Sequence, residues 1–297
     1  MSQPTDSQQL SVCPRHPDRE SYVRCQRCGR PACPDCQRPA AVGIQCVDCV
    51  KDQARTVRQA TTVFGGRATG GNALATKVII GLCVLVYLGE LVRPGIVDDL
   101  AFGPAVGWHE PWRAVTAAFL HSREMPLHIG LNMLVLWQIG PYIESLVGRL
   151  RFVVMYLVCA IGGSVGVVLL ASPPGSSDTT NQAIAQHAGW FTGVVGASGA
   201  VFGLFGALLL LNRHLGRSST GIYLVVAVNA VFGFIYPGIS WQAHLGGFLS
   251  GLACAGVMAA LAGPSRRRWH LPAMGLVLVL LLVVVALKYL GVPDGYR

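Results

Sequence analysis

The sequence predicts an all-α polytopic membrane protein that carries a small cysteine-rich head at its N-terminal end. Three observations predict it. Of 297 residues, 52% are hydrophobic and only 12% are charged, against about 25% charged in an ordinary soluble domain. Apolar stretches near 20 residues recur from residue 75 onward, and about 20 residues of helix cross a hydrocarbon core. Seven of the ten cysteines crowd between residues 13 and 49. An intrinsically disordered chain is excluded, because it would be poor in apolar residues. A disulfide scaffold is excluded too, because its cysteines would be far denser.

The head, residues 1–50, opens the chain. No apolar run in the first 70 residues is long enough for the core of a signal peptide. The head is therefore expected in the cytoplasm, where thiols stay reduced. Its ligand-type residues come in pairs with a two-residue gap: Cys13 and His16, Cys25 and Cys28, Cys33 and Cys36, Cys46 and Cys49. Such a gap lets both side chains of a pair reach one ion across a tight turn. Seven thiolates and one imidazole fill two tetrahedral zinc sites and leave no open position for water, which reads as structural zinc. The segment is similar to small treble-clef or B-box-like zinc modules. Alternating pairs would give a cross-braced arrangement, with Cys13, His16, Cys33 and Cys36 on one ion and Cys25, Cys28, Cys46 and Cys49 on the other. Spacing leaves that pairing open. A basic module of this kind suits a cytoplasmic protein partner, anionic lipid or nucleic acid equally well by charge.

Residues 51–74 read as a basic linker, with Lys51, Arg55, Arg58 and Arg67 and four glycines, Gly65, Gly66, Gly70 and Gly71. Seven spans are expected at 75–92, 127–147, 150–171, 193–212, 219–236, 240–262 and 271–290. All are expected to be helical, because lipid offers no partner to free backbone groups. The first six form a core over 75–262, and the seventh lies in 263–297. With the N-terminus inside, 18 Lys and Arg fall on the inner side and five on the outer. The positive-inside rule thus expects a cell-membrane protein with its N-terminus cytoplasmic and its C-terminus outside. This distribution accounts for most of the net charge of +9 without nucleic acid.

Two outer connections are long. The first, about 93–126, carries Trp108, Trp112 and Phe119 among Pro and Gly and reads as a loop dipping into the interface. The second, about 172–192, reads as solvent-facing and mobile.

Polar residues inside the spans are the candidate functional groups. Gly196-Ala-Ser198-Gly199 stands near the start of the fourth span. Its small flanks leave the Ser198 hydroxyl accessible, and the backbone N–H groups of a first helical turn can face an anion. Taken by itself, such a sequence in a membrane helix is more often a packing seam. His244 opens the sixth span, followed by Gly247 and Gly251 on one face. Gly199 and Gly203 offer the fourth span the same close approach. His128 and Asn132, four apart on the second span, share a face and both donate hydrogen bonds. Spans two, four and six all run from outside to inside. Ser198 is expected roughly 8 Å below the outer end of its helix and His244 about 6 Å below its own. Independent packing does not predict four reactive groups at one depth. A site with a nucleophile, a base and oxyanion donors does.

In that reading His244 takes the Ser198 Oγ proton and Ser198 attacks a carbonyl. The Ser198 N–H, His128 and Asn132 meet the oxyanion. No Asp or Glu is expected at this depth, so a dyad is expected rather than a triad. No cofactor is needed for the chemistry. Phe202, one turn after Ser198, is expected to pack on the imidazole.

These residues resemble the rhomboid intramembrane serine proteases over about 75–262. The resemblance rests on Pro111-Trp-Arg113, His128-Ile-Gly-Leu-Asn-Met133, Gly196-Ala-Ser-Gly199, Ala243-His-Leu-Gly-Gly247 and Glu144-Ser-Leu-Val-Gly-Arg149. It implies a six-helix bundle, Ser198 as nucleophile, His244 as base, and His128 and Asn132 at the oxyanion, with Gly196, Gly199, Phe202 and Gly247 in support. It further implies structural roles for Trp112 and Arg113, and a helix-tying role for Glu144. The implied substrates are single-span membrane proteins. The implied gate is the fifth span, with Phe232 and Phe234 as fillers. The seventh span and the zinc head lie outside the core pattern. Two other readings stand beside the protease. One is a proteolytically inactive rhomboid-like binding or quality-control protein, against which the presence of both Ser198 and His244 argues. The other is a metal transporter, which would need intramembrane carboxylates along one path, whereas Glu90 and Glu144 sit at opposite sides.

Overall fold

The computed structural model describes residues 11–56, 60–68, 71–174, 188–235 and 238–297. The chain divides into two compact units, Met1–Gln59 and Ala60–Arg297.

The first unit is held by little apolar surface. Two short antiparallel hairpins, β1 (Val12–Cys13) with β2 (His16–Glu20) and β3 (Gln37–Pro39) with β4 (Ile44–Cys46), are followed by helix α1 (Val47–Thr56). The buried cluster is almost entirely cysteine: Cys13, Cys25, Cys33, Cys36, Cys46 and Cys49 with Ala32. A unit this small, with so small an apolar core, needs staples other than packing. All ten cysteines are free thiols.

The second unit is a helical bundle. Helix α2 (Leu74–Val92) leads into a long connection that folds into three short helices, α3 (Gly95–Leu100), α4 (Pro104–Gly107) and α5 (Arg113–Thr116). Next come α6 (Pro126–Val147) and α7 (Arg149–Leu170), joined by Gly148 with φ +87°. A short α8 (Ala188–Phe191) precedes α9 (Ser198–His214), α10 (Thr220–Ile235), α11 (Trp241–Ala260) and α12 (His270–Leu290). A helix falls on each of the seven expected spans. Among the described residues, four apolar stretches suffice by length and composition to cross a membrane: Leu74–Val92, Arg149–Leu170, Trp241–Ala260 and Arg267–Leu290. Helix α9 is short but buried along most of its length, so neighbouring helices rather than lipid surround it.

Backbone proximity organises the centre. On α11, a Cβ at Gly247 would run into the Gly199 carbonyl of α9, and one at Gly251 into that of Gly203. On the other side of α11, a Cβ at Gly246 would meet the Gly162 carbonyl of α7. Helices α7, α9 and α11 therefore touch backbone to backbone. Such contacts stabilise membrane bundles by dispersion, because lipid tails remove the hydrophobic drive. The expected small-residue faces are the ones in contact. Helix α10 is largely exposed along its described side chains, and the side chains of Phe232 and Phe234 lie outside the described residues.

Helix α2 lacks a side-chain cap of its own at Ala73. Glu144, fully buried near the end of α6, supplies one in trans. Its carboxylate accepts from the Ala75 N–H (3.2 Å), the Thr76 N–H (2.9 Å) and the Thr76 hydroxyl (2.9 Å). Negative charge at a helix N-terminus meets both the orphan donors and the macrodipole. The helix-tying contacts expected of Glu144 are present.

One expectation needs correction. Hydropathy starts the fourth span at 193, but α9 begins at Ser198. Residues 193–196 lie outside the helix: Val194 pairs with Phe102, and Gly196 takes φ +128°, a conformation that breaks a helix, before Ala197 turns into α9. Ser198 therefore stands at the first helical position rather than about 8 Å inside. Of segment 51–74 the structure describes residues 51–56, 60–68 and 71–74. Its start belongs to α1, and Phe64 is 1% exposed, inserted beside His214 and His270, with its N–H on the Leu146 carbonyl. Gly66 lies so close to Val147 and Gly148 that a Cβ would clash. Most of the second outer connection, 175–187, lies outside the described residues.

Candidate active site

Ser198 opens α9, where the first ladder bond runs from the Val201 N–H to the Ala197 carbonyl (2.9 Å). The amides of residues 198–200 thus precede the ladder and belong to the orphan donors of a helix start. The lead-in is fixed from outside the helix. The Gly196 N–H donates to the Ala117 carbonyl at 2.9 Å, and Val194 and Phe102 exchange two backbone bonds.

His128 sits in the first turn of α6 with its ring against Gly196. A Cβ on Gly196 would fall 2.8 Å from His128 Cε1, 2.9 Å from Nε2 and 3.6 Å from Ser198 Oγ. Serine hydroxyl and imidazole thus flank the same small space, which only glycine keeps open. Both line a cavity of about 460 Å³ together with Ser122, Gly199 and Gln242, and no Asp or Glu is among its lining residues.

His244 lies in the first turns of α11, whose N-cap Ser240 accepts from the Ala243 N–H (3.3 Å). The imidazole is 8% exposed, and its Nδ1 is buried without a hydrogen-bond partner. Phe202 holds the ring by stacking, with centroids 4.0 Å apart and planes 8° from parallel. Phe202 is one turn beyond Ser198, so the stack sets His244 against α9 one turn past the serine. Asn132 is 6% exposed and gives one amide N–H to the His128 carbonyl at 2.9 Å. Its second N–H remains for other acceptors.

Sequence reasoning missed His121. Its ring is fully buried, neither ring nitrogen has a partner, and it meets His128 edge-on at 5.4 Å. Its backbone N–H donates to the Glu90 carboxylate at 3.1 Å. Burial, reinforced by His128, lowers its pKa to about 4, so the ring is neutral at pH 7. Its place seven residues before His128 was the available signal. Arg113 ties the outer connection together through Glu110 and the carbonyls of Asp98 (2.6 Å) and Ala101 (3.1 Å). Trp112 is 55% exposed, as an interfacial anchor would be.

In the first unit the eight paired ligands sort into two groups, Cys13, His16, Cys33 and Cys36, and Cys25, Cys28, Cys46 and Cys49, with the donor atoms of each within 4.8 Å of one another. This is the cross-braced pairing that spacing left open. His16 Nδ1 lies 3.3 Å from both Cys33 Sγ and Cys36 Sγ, and Cys28 Sγ lies 3.8 Å from Cys46 Sγ. Tetrahedral zinc with bonds of about 2.0–2.3 Å separates its ligands by about 3.5–3.8 Å. Three thiolates with one imidazole in the first group, and four thiolates in the second, are donor sets that fit the ion. Cys83, Cys159 and Cys254 are buried in the helices, outside both groups.

A glycine-packed bundle of membrane-crossing helices, closed over an embedded polar cavity, defines a polytopic membrane protein with a site at the end of its central helix. The chain belongs to the rhomboid family: the family model described as the rhomboid domain matches residues 109–261. Over 231 residues the chain is 29% identical to "Rhomboid protease GluP" of Bacillus subtilis (strain 168), covering 74% of this chain and 41% of that protein. It is 30% identical over 191 residues to "RHOMBOID-like protein 5" of Arabidopsis thaliana, covering 57% of this chain and 56% of the relative. It is 32% identical over 192 residues to "Inactive RHOMBOID-like protein 8" of the same plant, covering 57% and 49%. The chain thus spans about half the length, or less, of these relatives.

Proposed function

We propose that this protein is an intramembrane serine protease that hydrolyses peptide bonds of transmembrane substrates with a Ser198–His244 dyad. The observation that supports it most is the convergence at one helix start. Ser198 shares a polar cavity with His128, and Phe202, one turn further along α9, stacks on His244.

The chemistry follows from the parts. His244 accepts the proton of Ser198 Oγ as the oxygen attacks the substrate carbonyl. The oxyanion receives the Ser198 N–H at the start of α9, the His128 ring and the free N–H of Asn132. Each such donor is typically worth about 10²–10³ in rate. His244 then protonates the leaving amine, and water repeats the sequence on the acyl-enzyme. Gly196 leaves room for His128, while Gly199 and Gly247 let α9 and α11 close until base and nucleophile meet. Purified protein should cleave a single-span helical substrate in detergent micelles, and Ser198→Ala should lose all cleavage. Undiminished cleavage by that variant would refute the reading.

The orientation that supports this site is N-terminus cytoplasmic and C-terminus outside, resting on the distribution of Lys and Arg. Zinc in the two Cys/His clusters, one ion each, supplies a structural cross-link to a head with almost no apolar core and takes no part in catalysis. The head, roughly residues 1–50, then offers a surface for a cytoplasmic protein partner. A relative named inactive keeps a second reading in view, a binding or quality-control role without proteolysis. The presence of serine, histidines and asparagine together favours the first.

A further inference from the structure

We propose that the outer end of the seventh helix, α12, braces the lead-in to Ser198, and that Tyr289 is its positioning residue. The activity arm of this proposal rests on the protease reading above; its structural arm does not.

Tyr289 lies in the last turn of α12, far in sequence from the other site elements, and is 3% exposed. Its hydroxyl donates to the Pro104 carbonyl of α4 at 2.7 Å. Its ring meets Trp108 at 5.6 Å and, edge-on, Trp190 of α8 at 5.9 Å. A Cβ on Gly107 would strike the Tyr289 hydroxyl, so α4 has been brought against this ring. Past the helix end, the Tyr296 carbonyl accepts from the fully buried Trp190 indole at 2.9 Å. The tail of the chain and Tyr289 thus grip the same tryptophan from two directions.

What they grip leads into the site. Trp190 comes four residues before Val194, and Phe102 two residues before Pro104. Val194 and Phe102 are the pair joined by backbone bonds of 2.6 and 3.2 Å. Phe102, Trp190, Tyr289 and Val292 share one buried apolar cluster. From Val194 only Val195 intervenes before Gly196, whose fixed conformation sets His128 against Ser198. A shift at Trp190 therefore travels through a few residues of extended chain to the nucleophile. Misplacement on the ångström scale is enough to cost rate strongly.

The test uses full-length protein in micelles. Tyr289→Phe keeps the ring and removes only the hydroxyl bond; Tyr289→Ala removes the whole grip. Leu287→Ala, at a lipid-facing position 63% exposed, is the control. Kinetics are normalised to active sites titrated with a fluorophosphonate, so a misfolded fraction does not count. Tyr289→Phe should lower kcat about three- to tenfold with KM within about twofold, the range one buried hydrogen bond spans. Amide exchange of residues 193–197 should quicken about tenfold in Tyr289→Ala, measurably in Tyr289→Phe, and not in Leu287→Ala. Unchanged exchange in this segment overturns the brace, and faster exchange with wild-type kcat overturns the positioning role. If Tyr289→Ala does not fold, the exchange of Tyr289→Phe decides. A wild-type protein that cleaves nothing would count against the protease reading, while the exchange result would still decide the brace.

Discussion

The Phe202 ring stacks on the His244 imidazole, with centroids 4.0 Å apart and planes 8° from parallel. In the proposed dyad this aromatic face would hold the imidazole, the part that an acid plays in a triad. Phe202→Ala should lower kcat about three- to tenfold, the rate equivalent of one aromatic contact. Phe202→Tyr should keep most of it. Steady-state kinetics on a transmembrane substrate check both.

The contact of α9 with α11 should tolerate no added atoms. Gly247→Ala places a methyl group against the Gly199 carbonyl, a backbone atom that cannot swing aside. Overpacking of this kind costs about 1–3 kcal/mol. Thermal unfolding in micelles should show a midpoint several degrees lower. Gly275→Ala, in open space on α12, should leave the midpoint unchanged or raise it.

Glu144→Ala should destabilise without touching the chemistry. It strands the Ala75 and Thr76 amides and the Thr76 hydroxyl, all bonded to this one carboxylate. Each buried orphan costs about 1–3 kcal/mol. The expected outcome is a lower unfolding midpoint, with kcat per folded enzyme unchanged at low temperature.

Metal content distinguishes the two ways of pairing the head's ligands. The full chain should bind about two zinc ions. Cys13 and Cys33 share one cluster, so the double variant Cys13→Ala, Cys33→Ala should lose one ion and retain the other. Sequential pairing would place them on different ions, and both would then be lost. Elemental analysis after gel filtration reads the difference.

Much of this was legible in the sequence, and the remainder failed for identifiable reasons. Hydropathy located a helix for each span because lipid demands a continuous apolar run. Gly199 with Gly247, and Phe202 with His244, were legible because helical spacing puts them on facing sides. The start of α9 was not, because the Val194–Phe102 pairing that holds the lead-in out of the helix joins residues 92 apart in sequence. Ligand pairing in the head was hidden because every pair has the same two-residue gap. Phe64 was hidden because its burial depends on His214 and His270, which no local pattern announces. The grip of Tyr289 on Trp190 was hidden for the same reason.

The central claim is that Ser198 is a nucleophile activated by His244, and covalent capture tests it most directly. Full-length protein is incubated with a fluorophosphonate and the adduct located by peptide mass spectrometry. The account predicts one adduct, on Ser198, formed at a rate that falls to background in His244→Ala while the fold persists. An adduct on another residue, or labelling of Ser198 that proceeds at the wild-type rate in His244→Ala, would contradict it.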